Sequence, residues 1–174
     1  MTVQRCDFIY CDGQRNVLAA AAPPPFAPTD FDLHFGGPLA TNCYRGFCAE
    51  YESVDGQLRI RELRLSISPR DRDSVVSGRI WGQSPEFVAP TQAVFRGIPL
   101  AYTGALIARR VNRECATSPE FVNPHGILTW EAGRLVSEHW SRLACLPDGF
   151  TPESVWVDYG NMMWLPSESN NGVD

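Results

Sequence analysis

Three short turns, each centred on a glycine and flanked by β-rich runs, constrain the fold more than any other feature of this chain. The turns are Asp12-Gly13, Asp55-Gly56 and Ala132-Gly133. Asp-Gly between apolar runs is a strong hairpin signal, because glycine adopts positive φ without steric cost. The turns are unequally spaced, so they predict successive hairpins of an antiparallel meander rather than a regular repeat. Gly13, Gly56 and Gly133 are therefore assigned structural roles.

The hairpin at Asp55-Gly56 also predicts a bend in its second strand. Apolar residues after the turn alternate in one phase up to Ile60 and in the opposite phase from Leu63 onwards. A slip of one residue predicts a β-bulge near Arg61-Glu62. Such a bulge bends a strand, as a strongly coiled sheet or small barrel requires.

Further strands are predicted at 75–82 and 99–109, whereas no window keeps helical periodicity for three turns. Fourteen Pro and fourteen Gly interrupt the rest of the chain. The proline-rich stretch at 19–32 is interpreted as a crossover between the first two hairpins. We predict one mainly β domain over 1–166, an antiparallel curved sheet or partly open barrel or sandwich with little helix, and a flexible tail at 167–174.

Charge and hydrophobicity restrict the classes of partner. The 174 residues carry a net charge of −5, and every one of the 15 basic residues is Arg. An acidic chain disfavours nucleic acid and anionic membranes as partners and permits a basic protein. The small and apolar run at 17–22 is far too short to span a membrane, and the N-terminus lacks a signal-peptide pattern. We expect a cytoplasmic location.

The six cysteines are interpreted as reduced, buried thiols, although an even count would also suit three disulfides in a secreted domain. Cys6 and Cys11, like Cys43 and Cys48, are five residues apart, which on a strand would place the members of each pair on opposite faces. The sequence has no Cys-x-x-Cys. We therefore expect neither a metal site nor a cofactor.

Catalytic signatures are weak. The three histidines lack metal-ligand spacing, and the sequence has no nucleophile elbow, P-loop or dinucleotide fingerprint. Glu138 and His139 would point to opposite faces of a strand. His34, before Phe35-Gly36-Gly37, suits a turn better than a pocket. We expect a protein that is not an enzyme; the alternative is a small-molecule-binding β-barrel, or a small enzyme, with His34 and His139 in a pocket.

The C-terminal part combines acids with large aromatics and contains no Arg after position 142. Aromatic anchors and carboxylates suit a surface that binds a basic protein. An equally acceptable alternative packs the tryptophans into the core with the acids in water. The arginine-rich stretch at 59–72, with acids interspersed, is the other candidate interface. The predicted partner-binding residues are Asp148, Glu153, Trp156, Asp158, Tyr159 and Trp164.

Arg45 is predicted to be structural, binding a carboxylate or strand-end carbonyls while its stem packs beside Tyr51. The run Cys43-Tyr44-Arg45-Gly46-Phe47, followed by Asp55-Gly56, resembles a Cys-Trp-Arg-Gly-Tyr motif leading into Asp-Gly in small uncharacterised bacterial proteins. The likeness covers about the first 65 residues and part of the glycine-rich strands predicted after Val75. Those proteins resemble the immunity proteins that accompany secreted toxins. The resemblance implies a cytosolic immunity protein that binds and occludes a cognate toxin.

Overall fold

The computed structural model describes residues 7–40, 43–110, 125–141 and 157–158. Ten strands, one short α-helix and one 3-10 helix lie in these ranges. In chain order the elements are β1 Phe8–Cys11, β2 Gln14–Ala22, the 3-10 helix Pro28–Phe31, β3 Phe47–Val54, β4 Gln57–Ser66, α1 Arg72–Val76, β5 Glu86–Ala89, β6 Gln92–Pro99, β7 Gly104–Arg110, β8 His125–Glu131, β9 Arg134–Ser141 and β10 Val157–Asp158.

Seven strands close into a barrel in the order β3-β1-β2-β7-β8-β9-β4, because β4 pairs back with β3. The seam between β9 and β4 is a single pair, Gln57 with Arg134. The rest of that edge of β4 pairs with β6, so β6 and β5 extend the sheet beyond the barrel. The predicted mainly β fold with little helix is confirmed. One described pairing, β1 with β3, is parallel, because the long crossover after β2 delivers β3 to the free edge of β1.

The predicted bulge in β4 lets the residues on both sides of it face the same apolar core. Glu50 lies opposite Glu62, whereas the next residue, Tyr51, lies opposite Ile60, so Arg61 is the extra residue in β4. The bulge allows Ile60 and Leu63 to be buried although they are of opposite phase. Together they line one continuous apolar interior with Ile9, Leu18, Tyr51, Leu58, Leu65, Phe95, Leu106, Leu128 and Trp130.

The three predicted turns connect β1 to β2, β3 to β4 and β8 to β9. In each, both central residues have positive φ, for example 51° at Asp55 and 72° at Gly56. This geometry matches the right-handed twist of the flanking strands. Gly133 is constrained further, because a Cβ there would collide with the carbonyl oxygen of Leu100.

Two predicted strands were wrong in whole or in part. Residues 75–82 are not a strand: α1 and a run of turns occupy 72–82. The physical reason is that Gly78, Trp81 and Gly82 all adopt positive φ, which a strand does not permit. The segment predicted at 99–109 divides between the end of β6 and β7. The β5–β6 hairpin was not predicted.

The crossover and the turns after α1 cover the part of the sheet that extends beyond the barrel. Aromatic rings from these segments pack against strand residues, with ring centroids 5.3 Å apart for Phe26 and Phe47 and 6.1 Å apart for Trp81 and Phe95. The cluster contains Phe26, Phe31, Phe47, Trp81 and Phe95. Within the described ranges, no helix combines the length and the apolar character needed to cross a bilayer.

Candidate functional site

A fully buried ion pair lies where the chain enters β3. The Nη2 of Arg45 donates to Oδ1 of Asp7, and both side chains are fully excluded from solvent. The Nε of Arg45 also donates to the carbonyl of Phe47 at 2.8 Å, and the amide of Ala49 donates to the same Asp7 oxygen at 2.7 Å. The guanidinium carbon lies 4.4 Å from the centroid of the Phe47 ring. Arg45 thus binds both a carboxylate and a strand carbonyl, and it ties β3 to the residue preceding β1.

The same turn brings two thiols together. Cys43 lies before the turn and Cys48 is in β3, yet their sulfur atoms are only 2.8 Å apart. The Sγ of Cys43 also lies 3.1 Å from the Phe47 carbonyl, which it can donate to. The prediction that these cysteines lie on opposite faces of a strand was wrong, because Cys43 is outside β3 and the chain folds back between them. Cys6 is outside the described residues, so the other predicted pair is not placed.

The environment of the two thiols shifts their pKa values in opposite directions. A hydrogen bond from Cys48, aided by the charge of Arg45 and opposed by burial, lowers the pKa of Cys43 to about 7. The same hydrogen bond, together with burial, raises the pKa of Cys48. For comparison, burial and the nearby carboxylates of Glu138 and Asp12 raise the pKa of Cys11 to about 12. Cys43 is therefore the thiol of this pair that ionises near neutral pH.

Several arginines on exposed faces of the sheet are paired with carboxylates. Arg64 and Arg96 donate their Nε atoms to opposite oxygens of Glu62, at 2.6 and 3.0 Å. Arg96 also bonds Glu86, and Arg61 pairs with Glu52. Burial opposes ionisation of Glu62, but the hydrogen bonds from Arg64 and Arg96 outweigh it and lower its pKa. Within the stretch at 59–72, Arg64 thus binds Glu62, whereas Arg61 binds an acid of the neighbouring strand β3.

His34 is held by a buried carboxylate. Its Nδ1 lies 3.1 Å from Oδ1 of Asp71, and its backbone amide donates to the other oxygen at 2.7 Å. Arg79 donates to the same Asp71 at 3.4 Å. The imidazole is 58% exposed, whereas the Asp71 side chain is 4% exposed. The carboxylate fixes the ring orientation, an arrangement found for metal ligands and general bases as well as for structural turns.

A cleft of about 570 Å³ opens beside the crossover, and neither His34 nor His139 lines it. Its walls are mostly apolar, and they include Pro23, Trp81, Ile98, Tyr102 and Thr103. The Tyr102 hydroxyl already donates to the carbonyl of Pro23, and the hydroxyl oxygen of Thr103 accepts from the amide of Ala132. The predicted histidine-containing pocket is therefore not this cleft. His139 lies on β9 opposite Ile127 and is exposed.

Most of the predicted partner-binding residues lie outside the described ranges. These are Asp148, Glu153, Trp156, Tyr159 and Trp164. The backbone of Asp158 is described: it forms β10 with Val157 and pairs antiparallel with Ala20 and Ala21 of β2. In the described part of the chain, no three His, Cys, Asp or Glu side chains group closely enough to hold a metal ion.

Sequence reasoning missed two relationships at the buried site. It assigned Arg45 a carboxylate without naming Asp7, which is 38 residues away. An acid placed immediately before the first strand was the available signal. It also missed the Cys43–Cys48 contact, for which Arg45-Gly46 between the two cysteines was the signal, since Gly46 has a φ of 76° and turns the chain.

No protein-family model matches this chain, and neither curated proteins nor solved structures gave a match.

Proposed function

We propose that this chain is a cytoplasmic bacterial immunity protein, which binds a cognate toxin and occludes its active site without itself being an enzyme. The contact surface would be the acidic segment, defined as residues 148–164. The observation that carries the proposal is the distribution of charge. Residues 1–147 contain 15 Arg and 15 acidic residues, whereas residues 148–174 contain five acidic residues and no Arg. The entire net charge of −5 therefore lies in the C-terminal part.

The ion pairs of the barrel favour the acidic segment over the arginine-rich face. Of the five arginines at 59–72, Arg61 and Arg64 already bind carboxylates of the same sheet, so a partner that used them would have to displace those contacts. A carboxylate-rich segment without local cations needs no such exchange, and it attracts a basic cleft over a distance of roughly one Debye length, about 8 Å at physiological ionic strength.

Strand β10 attaches the acidic segment to β2 of the barrel at residues 157–158. Its pairing with Ala20 and Ala21 uses the edge of β2 beyond the last residue that pairs with β1. A segment anchored in this way loses less conformational entropy on binding than a free tail does. The aromatics Trp156, Tyr159 and Trp164 flank the anchor in sequence and supply residue types that commonly dominate interface energies.

Charge reversal in the acidic segment tests the proposal. The product of the neighbouring gene would be the binding partner, and Asp158→Arg and Glu153→Arg would be compared with Asp30→Arg, an exposed acid on the crossover. Electrostatic steering accounts for about 10-fold or more in association rate, so we expect a loss of that order at low salt and a smaller one at high salt. Asp30→Arg, which changes the net charge equally, should leave the rate nearly unchanged.

Thermal melts of all three variants would establish that they fold. Equal rates for Asp158→Arg, Glu153→Arg and the wild type would exclude the acidic segment as the interface. If the wild type binds no neighbouring product but a small apolar ligand changes the fluorescence of Trp81, the alternative of a small-molecule-binding barrel would replace this proposal. The cleft that Trp81 helps to line is the observation in favour of that alternative.

A further inference from the structure

The turn between Cys43 and Cys48 forms a dithiol. The sulfur atoms are 2.8 Å apart, so they need to approach by only ~0.75 Å to reach the ~2.05 Å of a disulfide bond. Four residues separate them in sequence, and the backbone already folds back at Gly46. We propose that Cys43 and Cys48 are a redox modification site, which closes reversibly to an intramolecular disulfide on reaction with a low-molecular-weight disulfide.

The reaction is two successive thiol–disulfide exchanges. The Cys43 thiolate attacks one sulfur of the small disulfide, forms a mixed disulfide and releases one small thiolate, which takes up a proton. Cys48 then loses its proton and attacks the Cys43 sulfur, releasing the second small thiol. The two protein thiols are oxidised by two electrons in all, and the small disulfide is reduced to two thiols.

Cys43 is the attacking thiol and Cys48 the resolving thiol. Cys43 has its pKa lowered to about 7, because Cys48 donates a hydrogen bond to it and Arg45 adds positive charge. The thiolate is the reactive form of a cysteine. Cys48 has its pKa raised by the same hydrogen bond, so it remains protonated until Cys43 has reacted. A buried thiol without such a partner, Cys11, has its pKa raised to about 12 instead.

Access requires only a local opening. Cys43 and Cys48 are 1% and 7% exposed, whereas Tyr44 between them is 57% exposed. The loop around Cys43 is held by two backbone bonds with its own neighbours, Cys43 to Ala40 at 2.9 Å and Leu39 to Cys43 at 3.0 Å. The turn between the cysteines is also bonded to β4, since the Ser66 amide donates to the Gly46 carbonyl at 2.7 Å. Access to the thiols therefore requires a local opening of this turn, and local openings occur below the free energy of global unfolding.

The sequence provides a direct assay. Trypsin cleaves after Arg45, between the two cysteines, so a disulfide would join the peptides 16–45 and 46–59, which contain no other cysteine. The fully reduced native protein would be incubated with oxidised glutathione at neutral pH, then acidified, alkylated, denatured and digested. We expect the joined peptides as the main product and their complete separation after treatment with a reductant.

Single substitutions assign the two roles. Cys48→Ser should stop the reaction at a glutathione adduct on Cys43, whereas Cys43→Ser should leave Cys48 unmodified. Cys11→Ser is the matched control and should still yield the joined peptides. The thiolate is the reacting form, so Cys43, whose pKa is lowered, should react at least about 10-fold faster than Cys11, whose pKa is raised.

The proposal would be overturned if the joined peptides formed only in denaturant, if Cys43 reacted no faster than Cys11 in the native protein, or if Cys43→Ser and Cys48→Ser gave the same adduct pattern. Circular dichroism of each variant would confirm that it retains the native fold. Because the site involves none of the acidic segment, its failure would leave the proposed toxin-binding surface untouched, and the reverse also holds.

Discussion

Arg45 and Arg64 each bind a carboxylate, but they do so in opposite surroundings. The Arg45–Asp7 pair is fully excluded from solvent, and both of its members also bind backbone groups of β3. In the pair of Arg64 with Glu62, the arginine side chain is 50% exposed and the glutamate is shared with Arg96. The same ionic chemistry thus occurs both inside the barrel wall and on its outer face.

Burial decides how much each ion pair contributes to the stability of the folded protein. Removing one partner of a buried pair leaves an uncompensated charge in a medium that solvates it poorly, whereas an exposed charge is taken up by water. Burial alone would lower the pKa of Arg45, but Asp7 and the neighbouring Cys48 and Tyr51 outweigh it and raise the pKa. The guanidinium remains charged at neutral pH, so its burial is tolerated because Asp7 and the surrounding acceptors bind it. These contacts support the predicted structural role of Arg45.

The largest expected effect comes from breaking the buried pair. Arg45→Ala should lower the free energy of unfolding by about 3–5 kcal/mol, because it leaves Asp7 ionised or forces it to bind a proton. Urea denaturation of the variant and the wild type at neutral pH measures this loss. Any loss of activity should follow the loss of folded protein.

A second variant distinguishes the stability lost with the charge partner from the stability lost with side-chain packing. Arg45→Met with Asp7→Asn removes both charges, and the asparagine oxygen can still accept from the Ala49 amide, so it should be clearly more stable than Arg45→Ala. A fully stable Arg45→Ala protein that has lost all binding would contradict the structural role and make Arg45 a functional residue.

Burial also disfavours the ionised form of a thiol. The buried Cys11 therefore extends the comparison, with a smaller expected effect on the free energy of unfolding. Its pKa is raised from 9.0 to about 12 by burial and then by Glu138 and Asp12. Above pH 9 the unfolded chain loses this proton while the native state retains it, so stability falls as pH rises, by ~1.4 kcal/mol per pH unit for this one group. Below pH 9 both states hold the proton and the contribution is constant.

Unfolding free energies at about pH 8 and about pH 10 measure this slope, and Cys11→Ala is the variant that isolates it. Between these pH values the wild type should lose ~1.4 kcal/mol more of its free energy of unfolding than Cys11→Ala does, whatever the cost of the truncation itself. Cys48, whose pKa its hydrogen bond with Cys43 and then burial raise, and Tyr102, whose pKa burial raises, contribute equally to both proteins. Identical slopes would mean that Cys11 ionises normally in the folded protein.

The smallest expected effect comes from the outer face. Glu62→Gln removes the carboxylate that Arg64 and Arg96 share, and it should change the free energy of unfolding by no more than ~1 kcal/mol. The difference between the variant and the wild type should shrink further in high salt, which screens exposed charges. A loss as large as that of Arg45→Ala would show that burial is not what separates the two pairs.

Local patterns predicted the hairpins and the bulge, because each depends on a few neighbouring residues. Asp55-Gly56 specifies its turn through backbone sterics, and the phase change between Ile60 and Leu63 specifies the bulge through burial. The same reasoning wrongly predicted a strand at 75–82. The β-branched residues of this segment favour a strand, but Gly78 and Gly82 adopt the positive φ of turns. Here tertiary packing of Val75, Ile80 and Trp81 against the sheet decided the outcome.

Sequence by itself determined the class of fold, the positions of three turns, the bulge at Arg61 and the asymmetric charge of the C-terminal part, because these follow from backbone sterics, periodicity and composition. Only the tertiary structure decided that β4 closes the barrel, that Asp7 is the partner of Arg45, and that Cys43 meets Cys48. Those contacts depend on which strands become neighbours. Many local patterns are compatible with several arrangements of strands, and only burial of the whole core selects one of them.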